Sequence, residues 1–137
     1  MHQNPYTAPR SLGLGSSEQP QTMERGGCLT AFLVLALIAN PITGLSYLLG
    51  GEMVRRGMPG MPEWALPVLG VLSFVQFAFI LGIWRWKKWG VIGALALAPV
   101  TLILNFSIGV PPGTAILGMV GPLILFFLVK PRWPAFR

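Results

Sequence analysis

The chain has 137 residues, 53% of them hydrophobic and 10% charged, with a formal net charge of +6 and a mean hydropathy of +0.66. That length suits one domain, but soluble domains carry about 25% charged residues, so a water-soluble monomer is excluded. Cys28 is the only cysteine, which removes an internal disulfide and any multi-cysteine metal site.

Residues 1–27 are rich in Gln, Ser, Pro and Gly and poor in large apolar side chains. Burial there cannot offset the entropy of ordering, and a disordered cytoplasmic tail is expected. All fourteen charged residues then lie outside four apolar stretches, Cys28–Gly51, Trp64–Trp84, Trp89–Val110 and Pro112–Val129. Lipid offers no hydrogen-bond partners, so a spanning segment must satisfy its own backbone, and about 20 helical residues cross a hydrocarbon core of ~30 Å. The expected fold is therefore all-α, a polytopic four-helix transmembrane bundle with helices over about 28–50, 64–84, 89–109 and 112–130. The first could instead be a secretory signal. Leu37-Ile38-Ala39 is a poor cleavage site, however, and the apolar run continues past it. Cys28, at the start of that run, reads as an unmodified small residue in preference to a palmitoylation site.

The loop Glu52–Glu63 holds Met53, Met58 and Met61 among Gly and Pro. Thioethers can bind soft metals, but no His or Cys accompanies them, and a flexible loop in the headgroup region is expected. The second and third helices are joined by Arg85–Lys88, and the run from Trp89 to Val129 is charge-free over 41 residues. One helix of that length would reach about 60 Å, so the chain must turn, and Val110-Pro111-Pro112-Gly113 is where consecutive prolines break it. Residues 131–137 form a basic-aromatic cytoplasmic tail suited to anionic headgroups. Nucleic-acid binding would need a folded basic domain, which is missing.

Lys and Arg near the span ends set orientation. With both termini cytoplasmic, that side holds Arg10, Arg25, Arg85, Lys87, Lys88, Lys130, Arg132 and Arg137, against Arg55 and Arg56 outside. An N-in/C-in topology follows, with Trp84, Trp86, Trp89 and Trp133 as an inner aromatic belt and Tyr47 and Trp64 near the outer face.

Asn4-Pro5-Tyr6-Thr7-Ala8-Pro9 is similar to the Asn-Pro-Tyr…Ala-Pro opening of uncharacterised small bacterial four-helix inner-membrane proteins. Trp84-Arg85-Trp86-Lys87-Lys88-Trp89-Gly90 resembles their Trp- and Lys-rich loop between helices two and three. The resemblance covers about a dozen residues. It implies a bacterial cytoplasmic membrane and brings no functional residues with it.

Each helix carries a stripe of small or polar residues at spacings of three and four: Ala36, Asn40, Thr43, Tyr47 and Gly50; Gly70, Ser73 and Gln76; Gly90, Ala94, Ala98, Thr101 and Asn105; Thr114, Gly118 and Gly121. Such faces let backbones approach and are expected to face one another. Leu33, Leu37, Phe79, Ile103 and Phe126 are expected to meet lipid. Asn40 and Thr101 lie about 18 Å, and Gln76 about 12 Å, from the cytoplasmic ends of their helices, so they can share one level with Asn105 above them. Pro41, Pro99 and Pro122 free the carbonyls of Leu37, Leu95 and Gly118 for a side-chain amide, a water or a ligand. Asn40, Gln76, Thr101 and Asn105 are the candidate ligand-binding cluster, with ordinary interhelical hydrogen bonding as the plainer account.

No ionisable residue occurs in the spans, which argues against proton-coupled transport and voltage sensing. The only histidine is His2, and Glu52 and Glu63 lie in the outer loop, so no catalytic activity, cofactor or metal is expected. The first functional expectation is an accessory, assembly or structural component of a membrane complex, packing through its small-residue faces against a membrane-protein partner or itself. The alternative is a lipid, quinone or small-solute binding or transport protein acting as an oligomer.

Overall fold

The computed structural model describes residues 26–137. The Asn4–Pro9 opening and the expected tail up to residue 25 lie outside the described residues. Helix α1 spans Gly27–Leu49, α2 Gly51–Gly57, α3 Ala65–Trp84, α4 Lys88–Ser107, α5 Pro112–Leu117 and α6 Val120–Val129, followed by a 3₁₀ segment Lys130–Ala135. No strand occurs among the described residues. Four helical stretches are long and apolar enough to cross a membrane: Gly27–Leu49, Ala65–Trp84, Lys88–Ser107 and Pro112–Ala135. Large apolar side chains such as Leu35, Leu49, Ile103, Leu117 and Phe127 stand exposed on them. A water-soluble monomer does not expose apolar surface on this scale; a lipid-embedded bundle does.

Glycine sets how closely the helices approach. A Cβ on Gly90 would lie 2.6 Å from the backbone nitrogen of Ile83 and 2.6 Å from the Phe79 carbonyl, so α4 meets α3 backbone to backbone. Gly44 of α1 and Gly70 of α3 form the other close crossing, where an added Cβ on either would lie 3.3 Å from the other's carbonyl oxygen. The helices thus pack in the order α1, α3, α4, while the span made by α5 and α6 touches α1 and α4 at few points.

Two apolar clusters cap the bundle. One, at the end holding the α3–α4 loop, gathers Leu29, Leu33, Ile80, Ile83, Val91, Ala94, Leu125, Val129 and Phe136. The other, at the opposite end, gathers Met61, Ala65, Leu66, Leu69, Ile108, Val110 and Ala115.

Several expectations are corrected. The loop after α1, expected to be flexible, contains α2, closed by the exposed ion pair Arg55–Glu63 at 3.2 Å, and Met61 is buried in the second cluster. Leu33 is fully buried, not lipid-facing, because it stands seven residues before Asn40 and so on the same helix face. Leu37 and Phe79 are half-buried against the first cluster, whereas Ile103 and Phe126 are exposed as expected. The reversal before α5 begins earlier than Val110. Gly109 has φ +81° and α4 ends in a Schellman arrangement, with the Val110 N–H donating to the Asn105 carbonyl (2.9 Å) and the Gly109 N–H to that of Phe106 (3.3 Å).

The C-terminal residues 131–137 are not a separate tail. Phe136 is 2% exposed and plugs the first cluster, and the Arg137 N–H donates to the Trp86 carbonyl (2.8 Å) while the Lys88 N–H donates to the Arg137 carbonyl (2.9 Å). Trp86 sits at φ +58°, the left-handed position ending α3, a conformation that costs a non-glycine residue roughly 1–2 kcal/mol. Its ring lies 5.1 Å from that of Phe136, so the folded C-terminal segment holds it there.

Candidate functional site

Between the two apolar clusters lies a cavity of about 380 Å³, lined by all four spans. The spacing that makes each helix stripe also makes the lining. Ala36, Asn40, Thr43 and Tyr47 come from α1; Leu69, Ser73, Gln76 and Ile80 from α3; Ala94, Ala98, Thr101 and Asn105 from α4; and Ala115, Gly118, Pro122 and Leu125 from the fourth span. All four residues of the sequence-derived cluster, Asn40, Gln76, Thr101 and Asn105, therefore face one space. Thr114, Gly50 and Gly90 of the same stripes do not: Thr114 is exposed and Gly90 is wedged against α3. Tyr47 turns into the cavity instead of standing in an outer aromatic belt, and Ser73 joins it as well.

Hydrogen bonding within the site differs from expectation. The Asn40 amide donates to the Ala36 carbonyl (2.8 Å), Thr101 to that of Leu97 (3.0 Å) and Ser73 to that of Leu69 (2.9 Å), each four residues back on its own helix. These donors do not cross to other helices, nor do they reach the carbonyls of Leu37, Leu95 or Gly118. The local carbonyl is already within reach, so the helix satisfies the side chain before a neighbour can. By contrast, the side-chain amides of Gln76 and Asn105 and the hydroxyls of Thr43 and Tyr47 hydrogen-bond to no described residue. A polar group shielded from water without a partner costs about 1–3 kcal/mol.

The fourth span gives the cavity its shape. Pro122 has no N–H to offer the Gly118 carbonyl, and the helix breaks there into α5 and α6, with the Met119 N–H bonding only three residues back to Ile116 (2.9 Å). Thr43 and Gly118 both line the cavity and both are exposed, so it opens on the seam between α1 and the fourth span. Of its lining residues only Tyr47 is titratable. The site thus presents neutral donors and acceptors on an apolar wall, chemistry that holds a carbonyl or a hydroxyl. It has no counter-charge for an ion. Among the described residues no three His, Cys, Asp or Glu side chains come together.

The chain matches no family model, no curated protein and no solved structure.

Proposed function

We propose that the protein is a non-catalytic membrane protein that binds a neutral, lipid-soluble small molecule bearing carbonyl or hydroxyl groups, such as an isoprenoid quinone or a neutral lipid. The observation that carries this reading is the pair of unpartnered amides, Gln76 and Asn105, facing a cavity of about 380 Å³. Small-molecule sites are typically of about 300–1,000 Å³, mostly apolar with a few polar groups that fix orientation. A phosphate or ammonium group buried there would lack the pairing that burial of charge requires. The seam at Thr43 and Gly118 faces the bilayer, which makes lateral entry the natural route for an apolar ligand. Association as an accessory component is the less supported reading, because Gly44, Gly70, Gly82 and Gly90 are used inside the bundle. We place the protein in a bacterial cytoplasmic membrane with both termini inside, on the Lys and Arg asymmetry and the resemblance of its Trp- and Lys-rich loop.

The test is extraction of the protein from its native membrane in mild detergent, followed by mass spectrometry of what remains bound. One neutral species enriched over bulk lipid is expected, with retention reduced about five- to tenfold in Gln76→Leu and Asn105→Leu, the loss of one hydrogen bond each. Retention unchanged in both variants contradicts the reading.

A further inference from the structure

We infer that the end of the bundle closed by Phe136 is a docking surface for anionic phospholipid headgroups, whose negative charge stabilises the folded C-terminal segment. Two stretches far apart in sequence meet there, the loop Arg85–Lys88 and residues 130–137, clamped by the backbone bonds between Arg137 and Trp86 and between Lys88 and Arg137. The clamp brings together Arg85, Lys87, Lys88, Lys130, Arg132 and Arg137, six cations. Arg132 donates to the Leu128 carbonyl at the end of α6 (3.0 Å) and lies against Gly26 at the start of α1. The other five are exposed and have no ion-pair partner among the described residues.

The described carboxylates, Glu52 and Glu63, are both at the opposite end, where they balance Arg55 and Arg56. Among the described residues, one end is therefore strongly cationic and the other balanced. Like charges held together by a folded segment repel, and repulsion favours opening the clamp. Anionic lipid is the occupant that fits, because Trp89 and Trp133 stand 54% and 41% exposed around the same end. Exposed tryptophans mark headgroup level, and each Lys or Arg near an anionic surface contributes about as much as the others. The surface is thus presented to phosphates already in the leaflet, not to a soluble partner.

The experiment compares thermal unfolding of the full chain in vesicles of phosphatidylcholine alone and of phosphatidylcholine mixed with phosphatidylglycerol. Unfolding is expected at a temperature at least about 4 °C higher in the mixture, with the gain shrinking as salt is raised. Lys87→Gln with Lys88→Gln and Arg137→Gln, three of the six cations, should remove about half of the gain, and Arg55→Gln with Arg56→Gln should leave it intact. Equal unfolding temperatures in the two vesicles would overturn the inference. So would an equal gain from inorganic phosphate in phosphatidylcholine alone, or loss of the gain in the Arg55/Arg56 variant.

Discussion

Gly90 and Leu33 carry more of the packing than their chemistry suggests. Any side chain on Gly90 meets the backbone of Ile83 and Phe79, which cannot rotate aside as a flexible side chain would, so Gly90→Ala must push α4 off α3. A loss of about 1–3 kcal/mol is expected, typical of overpacking, whereas Gly113→Ala, with open space around it, should change little. Leu33→Ala removes a side chain buried on every side and should cost about 2–5 kcal/mol. Ile103→Ala, which exchanges one lipid contact for another, should cost a small fraction of that. Reversible unfolding in detergent mixtures measures all four. Leu33 also marks where composition is silent: in lipid the solvent is as apolar as the core, so a leucine at the helix interface and one at the lipid face look alike, and only its register, seven residues before Asn40, tells them apart. Asn40, Gln76, Thr101 and Asn105 were legible because a polar residue in an apolar span has few acceptable places to point.

The elements differ in how much of their form the sequence states. The length and apolarity of α1 and α3 follow from charge-free runs bounded by Arg25 and Glu52 and by Glu63 and Arg85, and those of α4 from the run that starts after Lys88 and is broken by Pro111 and Pro112; their observed ends fall within a few residues of those expected. The C-terminal segment was not legible. Its Pro and Arg content reads as a tail, and only tertiary contact between Phe136 and the first cluster, with Trp86 held in a left-handed conformation, makes it structure. Phe136→Ala is accordingly expected to destabilise the protein by about 3–5 kcal/mol, an effect that a tail in contact with headgroups would not produce. The break in the fourth span is the element on which the cavity depends. Pro122→Ala restores an N–H for the Gly118 carbonyl, joins α5 to α6 and should slow amide exchange at Gly118 and Met119 while weakening ligand retention. Unchanged exchange at those amides would mean that the break has another cause.

For the molecule as a whole, the charge asymmetry that runs through the sequence becomes a physical asymmetry once the loop and the C-terminal segment are clamped at one end. A reporter fused after Arg137 is expected to read cytoplasmic and one inserted within Arg55–Gly60 external; the reverse result would invert the assignment of the basic end. Between the ends, the cavity is expected to be sealed from water by the apolar cluster at either end and open only towards lipid. Thr101→Cys, in a protein whose Cys28 is replaced by Ser, places one thiol in that chamber. A lipid-soluble maleimide is expected to label it, and a membrane-impermeant thiol reagent, applied from either side of sealed vesicles, is expected not to. Rapid labelling by the impermeant reagent from either side would contradict it, because the chamber would then be a water-filled path.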